Sequence, residues 1–240
     1  MPGLYKDEGI VLKTHKLGEA DRILILLTRE NGKISAVAKG VRKTKSRWGA
    51  RLEPFTQVEL MLYKGRNLDT ITGADIVQSF DRVRTDYVRL TSAAALVEVV
   101  DKITPDRERS LQTYSLLLSG LKALVTSEQI PTVVPAFLIK LLSVSGYHPQ
   151  LSVCAGCDAR VPLAGFSPAL GGAVCEDCWR EERGALRLSA DRIALLNRLL
   201  QSEFGEVADG LAVREVTQAL RNYAEYYLER PLKSLQLLAV

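Results

Sequence analysis

Arg22-Ile23-Leu24-Ile25-Leu26-Leu27-Thr28 is followed by the turn pair Asn31-Gly32 and then by Lys33-Ile34-Ser35-Ala36-Val37-Ala38. The first run is β-rich and nearly continuous in apolar residues, as expected of a strand covered on both faces. Asn-Gly readily adopts the positive φ angles of a tight hairpin, so the two runs read as paired strands. Upstream, Ile10, Leu12 and Thr14 alternate with Val11, Lys13 and His15. Downstream, Val58, Leu60 and Leu62 alternate with Glu59, Met61 and Tyr63. Lys64-Gly65-Arg66-Asn67 reads as a second hairpin turn leading into Asp69 to Val77. About five strands in roughly seventy residues leave no room for βαβ crossovers. A five-stranded Greek-key barrel fits, and the OB-fold is the common small barrel that binds oligonucleotides. An SH3-like barrel gives a similar pattern, and periodicity alone leaves both open.

Between the third and fourth strands lies Lys39-Gly40-Val41-Arg42-Lys43-Thr44-Lys45-Ser46-Arg47-Trp48-Gly49-Ala50-Arg51, with six cations, no acid and one Trp. Cations that neutralise phosphates and a flat ring that stacks on a base are the two ingredients of a non-specific single-strand grip. Gly40 and Gly49 suit a loop. The alternative is a solvated surface loop, or a basic run that binds polyanions only loosely. Residues 1–80 carry 14 Lys and Arg against 9 Asp and Glu, a net of +5 within a chain whose total is +4. The positive field therefore sits on the first third and points to a polyanion partner there. Lys39, Arg42, Lys43, Lys45, Arg47, Trp48 and Arg51 are the candidate contacts, with Lys13, Lys64 and Arg66 as weaker ones.

From residue 83 the period becomes helical. Leu90, Ala94, Val97 and Val100 mark one stripe; Leu111, Tyr114, Leu118, Leu121 and Val125 a second. Val133, Phe137, Leu141 and Val144 mark a third, opened near Pro131 and closed at Gly146. Helices resume after residue 180, with Ser189 as N-cap ahead of Ile193, Leu196 and Leu200. A last stripe, Val213, Val216, Leu220, Tyr223 and Tyr227, ends before Pro231. Tyr114 and Phe137 at such spacing read as core.

All four cysteines fall in one segment, as Cys154-x2-Cys157 and Cys175-x2-Cys178 with seventeen residues between. Two knuckles wrap two sides of one tetrahedral ion, the spacing of a structural zinc ribbon. Two disulfides would require an oxidising compartment, and a redox CxxC usually stands once near a βαβ unit. Four thiolates close the coordination shell, which opposes a catalytic role.

The composition, 47% hydrophobic and 25% charged, is ordinary for a globular chain. Neither a membrane span nor a signal peptide is visible, so the chain reads as soluble and cytosolic. There is no GxxxxGK[ST], GxGxxG, HExxH or GxSxG, and His15 and His148 stand alone. A binding protein is expected, not an enzyme, with no small-molecule substrate.

Gly18-Glu19-Ala20-Asp21-Arg22-Ile23-Leu24, Gly32-Lys33 to Lys39-Gly40-Val41-Arg42, Leu52-Glu53-Pro54-Phe55 and Tyr63-Lys64-Gly65-Arg66 resemble the N-terminal domain of RecO, a family of bacterial recombination mediators. The paired knuckles resemble its zinc motif, and Arg230-Pro231-Leu232-Lys233-Ser234 its C-terminal end. The resemblance implies an α+β multi-domain chain. Its parts would be an OB-fold barrel over residues 1–80, a helical domain over 81–150 and 183–240, and an inserted four-cysteine, zinc-ribbon-like module over 151–182. It also implies one structural zinc held by Cys154, Cys157, Cys175 and Cys178. The implied role is in DNA repair in the cytoplasm at the nucleoid: binding single- and double-stranded DNA and annealing complementary strands without nucleotide hydrolysis. With RecR, such proteins help load RecA onto DNA coated by single-strand-binding protein.

Two other readings compete. An OB-type RNA-binding factor of translation or transcription fits nearly as well, because a backbone grip does not distinguish the sugars. A protein-docking adaptor, whose charge serves only solubility, is the second.

Overall fold

In a computed structural model, which describes residues 3–43, 46 and 49–238, five strands between Leu4 and Gln78 form a closed barrel. Its strands are β1 (Leu4–Leu17), β2 (Asp21–Thr28), β3 (Gly32–Ala38), β4 (Gln57–Tyr63) and β5 (Asp69–Gln78), in the OB-like order β1-β2-β3-β5-β4. The β2–β3 hairpin turns at Asn31-Gly32, with Gly32 at φ +66°. The barrel closes through two parallel pairings, Ala36 with Asp69 and Val37 with Thr70. It thus removes the exposed edge that an open sheet would leave.

β1 departs from simple alternation. Ile10, Val11 and Leu12 are all buried, and the register slips between Val11 and Lys13 where β1 pairs with β2. Val11 points into the barrel with Leu24, Leu26, Ile34, Leu60 and Leu62. Ile10, Leu12 and Leu27 instead join the core of the helical body. The barrel is therefore packed inside and, on the β1–β2 side, outside as well.

The body begins with α1 (Asp81–Thr85) and α2 (Tyr87–Ile103), and continues with α3 (Leu111–Thr126) and α4 (Ile130–Val144). It resumes with α6 (Ala190–Gln201), α7 (Gly210–Leu228) and a 3-10 turn at Ser234–Leu237. α4 lies at the centre, with Val133, Phe137, Leu138, Ile139, Leu141 and Leu142 all buried. α2 is covered on several sides: of its expected stripe Val97 and Val100 are buried but Leu90 is exposed, and Leu96 and Val99, which lie off that stripe, are fully buried. In α3 the buried line is Tyr114, Leu117, Leu121 and Leu124, and Leu111 is exposed. Val144, at the end of α4, is exposed too. Ser189 stands at the α6 N-cap without a side-chain cap bond.

Between α4 and α6 lies a three-stranded sheet, β7-β6-β8, made of β6 (Leu163–Ser167), β7 (Gly172–Cys175) and β8 (Leu186–Arg187), with the short α5 (Glu176–Glu181) beside it. Phe166 and Ala173 from this sheet enter the body's core, and the Phe166 ring meets Tyr223 edge-on at 5.3 Å. Polar ties also cross from barrel to body. The Tyr114 hydroxyl donates to Glu8 at 2.6 Å, and Arg84 donates to the Pro54 carbonyl at 2.9 Å. Among the described residues no helix is long and apolar enough to cross a membrane.

Candidate nucleic-acid interface and cysteine centre

The basic loop leaves β3 at Ala38 and is pinned at both ends. Gly40 takes φ +67°, and its N–H donates to the Asp21 carboxylate at 2.7 Å. The Arg42 N–H donates to the Ala20 carbonyl at 2.9 Å, and its guanidinium to Gly18 O at 3.0 Å. Val41 and Leu52 are buried in the barrel core, one at each end of the loop. Arg22 and Glu53 pair at 2.8 Å across the second anchor. Two apolar plugs and a set of short bonds thus fix where the loop starts and ends, and the stretch between them carries the charge.

Lys39, Arg42 and Lys43 are exposed, as are Lys64 and Arg66 on the β4–β5 turn. Among the described residues none of these five is ion-paired. Lys45, Arg47 and Trp48 lie outside the described residues. Two expected cations are not free. Lys13 is held by Asp101 of α2 at 2.6 Å, which ties the barrel to the body. Arg51 donates to Asp75 at 2.8 Å and to Ala74 O at 2.9 Å. The Arg51 pair is solvent-exposed, and such pairs are worth about 0–1 kcal/mol, so a phosphate can displace Asp75 at little cost.

The β4–β5 turn is fixed from below by Asp69, a residue that sequence reading passed over. Its side chain is wholly buried. It accepts from the Tyr5 hydroxyl at 2.5 Å, the Arg107 guanidinium at 3.0 Å and the Gly65 N–H at 3.0 Å. Burial alone would raise its pKa, but the hydrogen bonds from Tyr5, Arg107 and Gly65 outweigh burial and hold it below the ordinary carboxylate value. Arg107 belongs to the α2–α3 connection and has φ +60°, and its N–H donates to Lys33 O at 2.8 Å. The only local signal was an acid two residues beyond a Gly-containing turn; its partners are 64 and 38 residues away.

The cysteine quartet is assembled as its spacing implies. The sulfurs of Cys154, Cys157, Cys175 and Cys178 all lie within 4.8 Å of one another, with Cys157 and Cys175 4.0 Å apart. An ion with sulfur bonds of about 2.3 Å and tetrahedral angles sets its sulfurs about 3.8 Å apart, so the quartet already has the scale of a single ion. The first knuckle folds as a turn: the Asp158 N–H donates to Cys154 O at 2.8 Å, and Asp158 takes φ +59°. A Cβ on Gly156 would stand 3.0 Å from the Cys178 sulfur, so that position must stay small. The Cys175 N–H donates to the Cys154 sulfur at 3.3 Å. Burial would raise the Cys154 thiol, but backbone N–H groups of Cys175, Gly156 and Cys157 bring it down to about 6. Cys178 is pushed up by hydrogen bonding to Cys154 and Cys175, since crowded thiols resist ionising together without a cation. Beside the centre, the Arg187 guanidinium stacks over the Trp179 ring at 4.5 Å.

A closed OB-like barrel with a cationic loop, joined to a helical body that carries four clustered cysteines able to hold a metal ion, defines an OB-type barrel protein with a four-cysteine module. Comparison with known proteins narrows this. The family description "Recombination protein O N terminal" matches residues 1–80, and "Recombination protein O C terminal" matches residues 84–236. The chain is 44% identical over 241 residues to the DNA repair protein RecO of Nocardioides sp. (strain ATCC BAA-499 / JS614), covering 97% of this chain and 98% of that one. It is 43% identical to the RecO of Frankia casuarinae, covering 97% of each chain, and 40% identical to that of Thermobifida fusca, covering 98% of each. The chain belongs to the RecO family of DNA repair proteins.

Proposed function

We propose that this chain is a recombination mediator that binds single- and double-stranded DNA and anneals complementary strands without nucleotide hydrolysis. With RecR, it helps load RecA onto DNA coated by single-strand-binding protein. The observation that carries the reading is the cationic loop, anchored by Val41 and Leu52 and presenting Lys39, Arg42 and Lys43 to solvent. Lys45, Arg47 and Trp48 belong to the same contact by sequence. Arg51, Lys64 and Arg66 extend it, and Lys13 contributes less because Asp101 holds it.

The mechanism is electrostatic. Cations that take a strand by its phosphates release condensed counterions and leave the base edges uncovered. They also lower the repulsion met by a second strand, so complementary bases can find one another on the surface. Residues 1–80 serve as the nucleic-acid unit, while 81–150 and 183–240 form a helical scaffold for protein partners. Residues 151–182 are a module held by one zinc ion on Cys154, Cys157, Cys175 and Cys178. Four sulfur donors at this spacing suit zinc and close its shell, so the metal supplies folding energy to a small sheet and no reaction. The site of action is the cytoplasmic nucleoid.

The test is the annealing of two complementary fluorescent oligonucleotides with the full chain and no nucleotide. Acceleration that saturates with protein and fades with salt is expected; annealing at the protein-free rate overturns the reading. Competition with an RNA strand of matched sequence separates the DNA role from that of an RNA-binding factor, which would favour the RNA.

A further inference from the structure

The outer face of β1, β4 and β5 carries an exposed ring that no part of the loop explains. Tyr63 closes β4 and is 50% exposed; Leu4, its partner across the β1–β4 ladder, is 54% exposed. On the other side Tyr63 pairs with Thr70 of β5. Among the described residues the Tyr63 side chain has no hydrogen-bond partner and no ring partner. Side chains two apart share a strand face, so Met61 and Lys6 continue the same surface, and Lys6 pairs with Met61. There the face sinks into a depression of about 320 Å³, lined among others by Met61, Gly73 and Lys6. Gly73 helps keep the floor low: a Cβ there would stand 3.1 Å from that of Met61.

The position of this face is informative. At one rim Asp75 holds Arg51, the last cation of the basic loop. At the other end Tyr63 runs directly into the turn that bears Lys64 and Arg66. The face therefore connects two groups of cations that are distant in sequence. The turn is also rigidly presented, because the Gly65 N–H is fixed on buried Asp69 and a Cβ at Gly65 would clash with Leu68 O at 1.9 Å. Glu59, also in the depression, repels phosphate and keeps a strand toward the Tyr63 end.

The geometry points to a second nucleic-acid contact: a stacking platform for single-stranded DNA in which the Tyr63 ring takes an unpaired base, Leu4 flanks it, and Lys6, Lys64 and Arg66 hold the adjoining phosphates. A single exposed apolar side chain on a surface needs no explanation. Here two lie side by side, edged by cations and lying between two basic loops, and single-strand sites are built from these two ingredients. This inference rests on the DNA-binding reading above and adds to it a requirement for unpaired bases.

The test compares wild type, Tyr63→Ala and Tyr63→Phe on three fluorescent probes: a single strand, the matching duplex, and an abasic strand with the same number of phosphates. Tyr63→Ala should weaken single-strand binding about five-fold or more, the effect of losing one stacked base. Binding of the duplex and of the abasic strand should not change, nor should the salt slope. Tyr63→Phe should behave as wild type, because the ring and not the hydroxyl makes the contact. A normal circular dichroism spectrum and melting temperature for Tyr63→Ala exclude loss of the fold; if they change, Tyr63→Leu, which keeps bulk but not the flat ring, replaces it with the same expectation. Equal single-strand affinity for variant and wild type, or equal losses on all three probes, overturns the platform while leaving the DNA-binding reading standing. If wild type binds none of the probes, it is the DNA-binding reading that fails.

Discussion

Replacing Asp69 with alanine should cost the protein about 3 kcal/mol at neutral pH. The carboxylate is buried, and three donors converge on it from β1, the β4–β5 turn and the α2–α3 connection. Hydrogen bonds to a charged group contribute about 1.5–3 kcal/mol each, which sets a gross upper range of roughly 4.5–9 kcal/mol. Much of that is offset, because burying the carboxylate itself costs several kcal/mol. Breaking a buried pair by removing one partner costs about 3–5 kcal/mol. Arg107 is 39% exposed and regains water when released, which places the loss at the lower end. For a chain of this length that corresponds to a fall in melting temperature of about 6–12 °C. Asparagine keeps one acceptor in place and should cost about half as much.

The pH dependence is a second signature of the same contact. The folded pKa of Asp69 lies below its ordinary value. Its contribution is therefore fully present above the ordinary carboxylate pKa of about 3.9, and is lost as pH falls through that value toward the lower folded one. Urea unfolding of wild type and Asp69→Ala at about pH 7, 5 and 3.5 reads the difference. The gap should be full at the two higher values and begin to narrow at the lowest. Hydrogen exchange supplies a local readout, because the Gly65 amide loses its acceptor and should exchange faster. An alanine variant within about 1 kcal/mol of wild type at neutral pH, or a gap that does not narrow on acidification, would refute the reasoning.

Other consequences are direct. Gly32→Ala forces a side chain into φ +66° and sets its Cβ 2.1 Å from the Glu108 carbonyl oxygen, so it should destabilise by more than about 3 kcal/mol; a melting temperature equal to wild type would contradict this packing. Protein purified without added metal should hold about one equivalent of zinc, and Cys154→Ser or Cys175→Ser should lose it; chelation should change the fluorescence of Trp179, which lies beside the centre, and a metal content near zero with all four thiols free would contradict the zinc assignment. Glu98 accepts from the Lys233 N–H at 3.2 Å and the Ser234 N–H at 2.6 Å, so Glu98→Ala should release the C-terminal segment and speed proteolysis after residue 229; an unchanged cleavage pattern would count against that tie.

The sequence carried the local parts of the fold well. The β2–β3 hairpin was legible because Asn31-Gly32 demands a particular turn, and the cysteine centre because two knuckles can serve one ion. What it did not carry was long-range. The parallel β3–β5 pairing joins Ala36 to Asp69, and no local period encodes it. Ile10 and Leu12 broke the expected alternation of β1 because the helical body covers the outside of the barrel there. The stripes of α2 and α3 were legible in part, with Val97, Val100, Tyr114 and Leu121 buried; helices packed on more than one side also bury residues off a single line, here Leu96, Val99 and Leu117. Lys13 and Arg51 looked like free cations because their acids, Asp101 and Asp75, lie 88 and 24 residues away. The role of Asp69 was invisible for the same reason, and Tyr63 passed as one member of an alternating strand.

Whether the basic loop holds DNA by its charge is tested most directly by the salt dependence of binding. Anisotropy of a labelled single strand, titrated with the full chain between about 50 and 200 mM salt, gives the slope of log affinity against log salt. Each cation engaged on a single strand contributes about 0.7 to that slope. Replacing Lys43, Lys45 and Arg47 together with alanine should flatten it by about two units and weaken binding about equally for any sequence. The same slope and affinity in variant and wild type would mean that the strand is held somewhere other than this loop.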